Sequence, residues 1–519
     1  MVIKMKFIGK LLNTIMVFTV LALGVSAVSI TDFSQITDMC GEYELAQDIV
    51  LPENFTPVGT KDNPFIGNFD GNGYTISGVY SAIFAYTNDA EIKNIRVENS
   101  TLVSAQFFGG IVANAGGATE IYNCSFLGNI VIDGGFAVNG GGIAGFLGEN
   151  AIIRNCYASA QITEKEMPYS LNFGGICGRN KGKIEICFSE GSLAAASSQY
   201  RLVLGGICGE NLGKISGCGN GASVNGSVNA KAAQTFVGGI TGYNNGGMLT
   251  RCANIATSVS GYGKNIYPAY AGGIAGVNIN GILDVVKNKA GIFGVKSYIS
   301  GIAALNLGYK GSAVITNALN EGEVTCSNGV FAGMVAANAI TDDKASFSEV
   351  SYSLNLGSAY AFNKNDGYVM FVYSTGVSDS YSENVTEDEL KENGIDKLTE
   401  NNEVWQNNCE ISELPDLLVV YDNKSSVMLA SRNGESGLSY FLYTPENEAS
   451  AFIAVFYDGS RYLNMKYAEK AEETSFIKLA VSDIPEGTDV IKFIAFKDTF
   501  EEGFSPVSMP ATEIAYQNN

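Results

Sequence analysis

Short segments in which polar and apolar residues alternate recur through most of the chain, separated by turns rich in glycine. Residues 183–187 (KIEIC) alternate as a half-buried strand should. Residues 180–182 (NKG) before them and 189–191 (SEG) after them are typical of turns. Glycine is too frequent here for stable helices. The pattern therefore predicts short β-strands joined by tight turns.

The tripeptide Gly-Gly-Ile recurs at intervals of 28 to 34 residues, counting two degenerate copies at residues 300–302 and 332–334. A unit of this length cannot bury its apolar face alone, so successive units must stack. Short strands stacked in this way predict a parallel β-solenoid. The intact copies begin at Gly109, Gly141, Gly174, Gly205, Gly238 and Gly272.

Cysteine occupies two recurring places in these units. Equivalent positions of stacked units lie above one another, which predicts columns of buried thiols. Parallel neighbours in register present their Cβ atoms side by side, which favours thiols over disulfides, although disulfides remain an alternative outside the cell. The spacing matches no common metal site. The first column is Cys124, Cys156, Cys187, Cys218 and Cys252, the second is Cys177 and Cys208, and Cys40, Cys326 and Cys409 lie outside both.

Asparagine lies six residues after the start of six units. In a solenoid turn, asparagine tolerates a positive φ and can hydrogen-bond to its neighbours above and below. We therefore expect these residues to be structural. They are Asn180, Asn211, Asn244, Asn278, Asn306 and Asn338.

The first 27 residues have the features of a signal peptide. Basic residues precede a short apolar run at residues 15–23, and residues 25–27 (VSA) form a small-x-small cleavage pattern. The run is short for a membrane span, although an uncleaved N-terminal anchor is an alternative. We expect a secreted, extracellular protein that can associate with the cell surface and has no transmembrane segment after cleavage.

Charge and composition narrow the chemistry further. The chain has 32 Lys+Arg against 53 Asp+Glu, a net charge of -21, so nucleic acid is a poor partner. Histidine is absent, which excludes catalytic triads and zinc sites that need it. Residues 70–73 (DGNG) resemble a calcium loop but lack its distal glutamate, and Asn72-Gly73 predicts a hairpin turn. We predict no cofactor and no metal.

Residues 65–78 (FIGNFDGNGYTISG) resemble the opening segment of secreted bacterial proteins with GLUG repeats, including Firmicute-like ones. Residues 205–218 (GGICGENLGKISGC) closely resemble the GLUG repeat itself. The resemblance covers roughly residues 30–420 and implies a right-handed β-helix on an exported, often surface-associated protein. Some members of this family carry the repeats ahead of an immunoglobulin-A-cleaving metallopeptidase domain, for which this chain has no counterpart.

The end of the chain has a different pattern. Thr386 and Glu389 fit a capping box, which predicts a short helix near residues 386–394. Beyond it, three predicted strands at residues 451–457, 476–481 and 490–496 favour a small β-sandwich, and their pattern resembles immunoglobulin-like modules. We therefore predict an all-β protein with a signal peptide (1–27), a β-helix (28–420) and an immunoglobulin-like β-sandwich (421–519).

Tyrosines between the repeats are candidates for ligand binding, because rigid rings beside small polar residues suit protein or carbohydrate contact. The alternative is that the rings only cover the apolar edges of the coils. These candidates are Tyr262, Tyr267, Tyr270, Tyr169 and Tyr200.

The acids of the repeat region show no recurring pair, so we predict solvated surface positions and no catalytic residue. These acids are Glu164, Glu166, Glu185, Glu210 and Asp284. We expect a non-catalytic, adhesin-like scaffold whose partner is a host or bacterial surface protein or glycan. The alternative is a carbohydrate-active enzyme, a polysaccharide hydrolase or lyase, on the same β-helix.

Overall fold

The computed structural model describes residues 27–133, 137–164, 170–197, 200–228, 234–264 and 267–327, and beyond these separate strands between residues 331 and 515. These residues are almost entirely β-structure. Their single helical element is the 3-10 turn Phe33–Gln35, which Asp32 caps. No helix in the described ranges is long and apolar enough to cross a membrane.

The strands form a parallel β-solenoid, as the repeats predict. A complete coil has four strands, and each strand pairs in parallel with the corresponding strand of the next coil. Seven complete coils lie between Phe107 and Ser327. We call the four stacks of strands columns 1 to 4, in chain order within a coil. Columns 1 and 2 belong to one sheet, and columns 3 and 4 belong to another.

Columns 1 and 2 are joined at the Gly-Gly-Ile corner. The isoleucines of the seven corners, from Ile111 to Ile302, are fully buried in the core. Phe331–Ile340 continues both columns. Column 1 contains Phe107–Gly109, Ala137–Gly141, Ser170–Gly174, Arg201–Gly205, Gln234–Gly238, Ala269–Gly272 and the start of Tyr298–Gly308. Column 2 contains Phe84–Asn88, Val112–Gly116, Ala144–Leu147, Cys177–Asn180, Cys208–Asn211, Thr241–Asn245, Ala275–Ile279 and the end of Tyr298–Gly308.

Columns 3 and 4 begin earlier in the chain than columns 1 and 2. Column 3 contains Val28–Ile30, Glu42–Leu45, Asn68–Asp70, Glu91–Lys93, Glu120–Tyr122, Ile152–Arg154, Lys183–Glu185, Lys214–Ser216, the starts of Met248–Asn254, Ile282–Asn288 and Ser312–Asn320, and Phe347–Ser351 and Val377–Ser378. The ends of Met248–Asn254, Ile282–Asn288 and Ser312–Asn320 continue into column 4. Column 4 contains Ile49–Val50, Thr75–Ser77, Arg96–Val103, Ser125–Ile132, Tyr157–Glu164, Phe188–Ser197, Gly219–Asn220, Ser223–Val228, Ser258–Tyr262, Gly291–Val295, Val324–Ser327, Leu354–Asn355 and Ala359–Phe362.

The predicted cysteine columns are buried, and none of their members is joined by a disulfide in the described residues. The first column lies at the corner between columns 3 and 4. Each of its thiols donates to the carbonyl two residues earlier, at 3.2 to 3.4 Å. From Cys156 onward each thiol also lies 3.7 to 3.9 Å from a carbonyl of the preceding coil. Cys326 is buried elsewhere and donates to the Ser297 carbonyl, and Cys409 lies outside the described residues.

The asparagine prediction is confirmed in one part and wrong in another. From Asn180 to Asn278, each amide nitrogen donates to the amide oxygen of the next coil at 2.7 to 2.8 Å, and Asn306 is the last acceptor. These residues are not in the left-handed region of φ. The left-handed residues lie instead one position before the cysteine column, where the chain turns from column 3 to column 4, and they include Asn123, Asn155 and Ile186. The side chain of Asn338 lies outside the described set.

Two predicted turns are corrected. Residues 189–191 lie inside the strand Phe188–Ser197, where Gly191, at φ +102°, lies against the backbone of Ala160 without a turn. Asn72 and Gly73 do have positive φ, but they form a corner between two strands that do not pair with each other, and so they are not a hairpin. Each stretch has the composition of a turn, and only its place in the coil decides its shape.

Two four-stranded antiparallel sheets follow the solenoid. The predicted strands are present as Ala451–Asp458, Phe476–Val481 and Val490–Phe496. The predicted signal peptide up to residue 26 and the helix near residues 386–394 lie outside the described residues. One sheet has the order Leu417–Val420, Met428–Asn433, Gly437–Tyr443, Phe476–Val481, and the other has the order Arg461–Glu469, Ala451–Asp458, Val490–Phe496, Thr512–Ala515.

Candidate functional site

The outward faces of columns 1 and 2 face each other and form a groove along the solenoid, which we call the outer groove. Outward side chains from the two columns meet across it. The rings of Phe107 and Phe146 are 5.9 Å apart, and those of Phe236 and Tyr243 are 5.5 Å apart. On a convex surface such side chains would diverge, so these contacts show that the surface is concave.

Glycine allows the two columns to approach so closely. A Cβ atom on Gly209 would lie 2.7 Å from the amide nitrogen of Phe173 in column 1. A Cβ atom on Gly242 would lie 2.6 Å from a methyl group of Val203, which belongs to the apolar cluster of the groove and not to the solenoid core. These column 2 glycines follow the Gly-Gly-Ile corner by two residues, and the repeat sequence therefore determines the depth of the groove.

An ion triad lies in the middle of the outer groove. Glu210 is 5% exposed, and its two carboxylate oxygens lie 3.0 Å from Arg179 and 3.2 Å from Arg201. The guanidinium of Arg201 also lies over the rings of Tyr243, at 4.7 Å, and Phe236, at 5.9 Å. Two arginines against one glutamate leave this part of the groove with a net positive charge, in a chain of charge -21.

Aromatic rings continue along the groove past the triad. Tyr270 stacks on Tyr298 with ring centroids 4.9 Å apart and planes 3° from parallel, and it meets Phe236 edge-on. Burial raises the pKa of the Tyr270 hydroxyl, with a further contribution from Tyr298. Because the stacked faces cover each other, the groove offers ring edges and hydroxyl groups to a ligand.

The predicted tyrosines do not form one site. Tyr200 and Tyr262 lie near the edge between columns 4 and 1 and are 57% and 44% exposed. Tyr267 is partly buried against Val228 and Ala269, and Tyr270 lies in the outer groove. Tyr169 lies outside the described residues. Tyr267 and Tyr270 therefore pack against the coils, while the rings of Tyr200 and Tyr262 are largely exposed.

The prediction for the acids is wrong at one position. Glu210 is buried in the outer groove, because Arg179 and Arg201 neutralise its carboxylate there. Glu185 and Asp284 are half-buried on column 3. The side chain of Glu164 and the whole of Glu166 lie outside the described residues.

A second group of charged side chains lies on the outward face of column 3. Glu91 accepts hydrogen bonds from Lys93 at 2.6 Å and from the Tyr122 hydroxyl at 2.7 Å, and Arg154 pairs with Glu120 at 3.1 Å. Burial raises the pKa of the Glu91 carboxyl, but the two hydrogen bonds and the charges of Lys93 and Arg154 together outweigh burial, so its pKa lies below the usual value. Burial and the bond to Glu91 raise the pKa of Tyr122. Each of these carboxylates already pairs with a cation. Because the bonds from Tyr122 to Glu91 and from Arg154 to Glu120 cross between coils, the group links neighbouring coils.

A pocket of about 260 Å³ lies at the N-terminal end of the outer groove. Its small floor includes Ala85 and Ala113, which take the place that glycine holds in later coils. Its walls include Pro57, Tyr86 and Phe107. Apolar walls over a small floor suit one apolar side chain.

Comparison with known proteins gives a remote likeness. No protein-family model and no curated protein sequence matches the chain. A solved structure from Bacteroides ovatus, provisionally assigned as an immunoglobulin A1 protease, is 19% identical with a TM-score of 0.31. The match covers 50% of this chain and 70% of that chain. So distant a likeness carries no argument about function.

The residues of the outer groove recur at regular positions in the repeats, although the repeats did not predict a groove there. The groove positions lie two residues before and five residues after the first glycine of each Gly-Gly-Ile corner. Residue type varies at both positions, so no motif marks them. They include Asn139, Asn172, Val203, Phe236 and Tyr270 in column 1, and Phe146, Arg179, Glu210, Tyr243 and Val277 in column 2.

Proposed function

We propose that this protein is an exported, non-catalytic scaffold that binds a protein or glycan on a host or bacterial surface. Its binding surface consists of the exposed tyrosines at the column 4 to column 1 edge. The exposure of Tyr200 and Tyr262 carries the proposal, because a rigid ring with a large exposed surface suits contact with a protein or a glycan.

The composition of the outer groove favours binding over catalysis. Hydrolysis of a glycoside needs two carboxyl groups about 5 to 10 Å apart in a cleft. Glu210 is the one acidic residue at the described outward positions of columns 1 and 2, and its carboxylate pairs with two arginines. The alternative function, a carbohydrate-active enzyme, would need a second carboxylate facing it.

The finer features of the architecture belong to the same proposal. We assign the repeats to the GLUG type, with right-handed coiling. The two C-terminal sheets would pack as an immunoglobulin-like sandwich, because each has strands with apolar faces that need cover. A cleaved signal peptide would deliver the chain to the cell exterior, where it would remain secreted or associate with the cell surface.

Replacement of both exposed tyrosines tests the proposal. The double variant Tyr200→Ser, Tyr262→Ser should keep its unfolding midpoint and lose most of its binding to glycan arrays, epithelial cells or bacterial cells. The matched control is Tyr309→Ser, whose ring is 50% exposed beside column 3. Its binding should stay unchanged.

Two results would contradict the proposal. Equal binding by the double variant and the wild type would remove the tyrosines from the binding surface. Release of new reducing ends from a panel of polysaccharides by the wild type, and their absence with Glu210→Gln, would support the enzyme instead.

A further inference from the structure

Column 1 begins one coil later than column 2 and several coils later than columns 3 and 4. The coil before Phe107 has a column 2 strand, Phe84–Asn88, a column 3 strand, Glu91–Lys93, and a column 4 strand, Arg96–Val103. In its column 1 position the chain runs through residues 80–83, which form no strand. Phe107–Gly109 is therefore the open edge of its sheet.

The open edge leaves one residue with backbone groups that have no pairing strand. The backbone N–H of Asn139 donates to the carbonyl of Gln106, which fixes the parallel register of the two strands. In this register, the N–H and C=O of Phe107 point away from the strand Ala137–Gly141. On the open side, the N–H of Gly109 donates to the carbonyl of Ser81 at 3.3 Å. Among the described residues, no backbone group bonds to the N–H or C=O of Phe107.

The pocket of about 260 Å³ lies at this open edge, with Phe107, Gln106 and Ala105 in its wall. This volume is slightly below the range of about 300 to 1,000 Å³ that small-molecule sites usually occupy, and it is large enough for one large side chain. A free N–H and C=O beside an apolar side-chain pocket is the arrangement by which sheets accept an added strand. The spacing of the N–H and C=O along a strand edge matches the backbone of an extended peptide, so the occupant that fits best is a peptide.

We propose that the open edge at Phe107 is an acceptor site for an extended peptide of a partner protein, which pairs with the backbone groups of Phe107 that residues 80–83 leave without a partner. The peptide runs parallel to the strand at Phe107 and ends before Gly109, because Ser81 already occupies the open side of Gly109. The peptide residue just before the one opposite Phe107 accepts from the Phe107 N–H with its C=O. The residue just after it donates to the Phe107 C=O with its N–H. The apolar side chain of the residue between them enters the pocket. This site goes beyond the proposed function, because it does not involve the tyrosines near the column 4 to column 1 edge.

A peptide that copies residues 234–237 (QTFV) is a suitable probe, because this segment occupies the same column four coils after Phe107 and ends before the position that Ser81 occupies. In register, the copy of Phe236 lies opposite Phe107. With a fluorescent label, the peptide should bind the full chain saturably, measured by anisotropy, and hydrogen exchange of the Phe107 amide should slow. Methylation of the backbone nitrogen that copies Val237 removes the donor to the Phe107 carbonyl and should weaken binding about 5- to 10-fold.

Changes in the protein complete the test. Ala85→Leu fills the pocket from a partly exposed position and should weaken binding of the probe at least tenfold. The control Ala194→Leu adds the same side chain at an exposed position of column 4 and should change nothing. If Ala85→Leu fails to fold, the methylated peptide alone decides.

Three outcomes would overturn the proposal. They are absence of saturable binding by the folded chain, equal binding of the methylated and unmethylated peptides, and a dimer of the chain that Ala85→Leu dissociates. The last would assign the edge to a second copy of this chain. None of these outcomes affects the test with Tyr200 and Tyr262, so the two proposals fail separately.

Discussion

One interior column of the solenoid has different chemistry in its two halves. It is the first inward position of column 4, and it faces the second glycine of each Gly-Gly-Ile corner. In the earlier coils it holds apolar or small side chains, Phe126, Ala158 and Ser189. In the later coils it holds a ladder of buried asparagines, each donating to the next at 2.8 to 2.9 Å. The ladder is Asn220, Asn254, Asn288 and Asn320.

The two halves show that one backbone can be stabilised in two ways. In the earlier half, side-chain packing fills the space beside the glycines. In the later half, each amide also bonds to its own backbone two residues on, as Asn288 does to Ala290. A buried amide costs free energy when it has no partner, so every coil of the ladder depends on its neighbours. The later half should therefore tolerate substitution less well.

The largest effect is expected where glycine meets the ladder. A Cβ atom on Gly239 would overlap the backbone oxygen of Gly273 and the side-chain amide of Asn254. Gly239→Ala should lower the free energy of unfolding by more than about 4 kcal/mol, measured by urea denaturation. Gly246→Ala is the control, because φ there is +74° but nothing lies within 4 Å of the new Cβ atom. It should cost about 1 kcal/mol; equal losses would show that the glycine corner is not close-packed.

Removal of one amide breaks the ladder without a clash. Asn254→Ala removes one of the two acceptors of the Asn220 amide nitrogen and one of the two donors to the Asn288 amide oxygen, both in the dry interior. The free energy of unfolding should fall by about 3 kcal/mol. In the earlier half, Ala158→Gly at the equivalent position removes a methyl group and no hydrogen bond, and it should cost about 1 kcal/mol. The ladder would have no special role if the two variants lost the same stability.

A third variant should extend the ladder by one coil. Ser189 lies where the two halves meet, and its buried hydroxyl has no hydrogen-bond partner among the described residues. Because Gly175 has no side chain, the space beside Ser189 is the same as the space that Gly206 leaves beside Asn220. Ser189→Asn should donate to Asn220 and raise the free energy of unfolding by about 1 kcal/mol. Ser189→Ala separates loss of the hydroxyl from gain of the amide, and a Ser189→Asn protein less stable than Ser189→Ala would contradict the account.

The interior was predictable from the sequence where one residue type repeats at a steady distance from Gly-Gly-Ile. The cysteine column and the ladder from Asn180 to Asn306 have this property. The second ladder was missed because a cysteine two residues earlier marks only Asn220 and Asn254, and because the distance from the corner grows from 15 residues for Asn220 to 20 for Asn320. The outer groove was missed for another reason. Its positions are regular, but contacts between columns decide which outward side chains become buried, as they do for Glu210.

The central claim is that the coils stack in register, so that the column from Cys124 to Cys252 lies inside the solenoid. Burial raises the pKa of Cys156, Cys187, Cys218 and Cys252, so their thiols stay protonated and unreactive in the folded chain. Residue-resolved thiol labelling by mass spectrometry tests this directly, with the exposed Cys40 as internal reference. In native protein Cys40 should label at once and the five column thiols only as fast as the chain unfolds. Labelling of all five at the rate of Cys40 would contradict the stacked register.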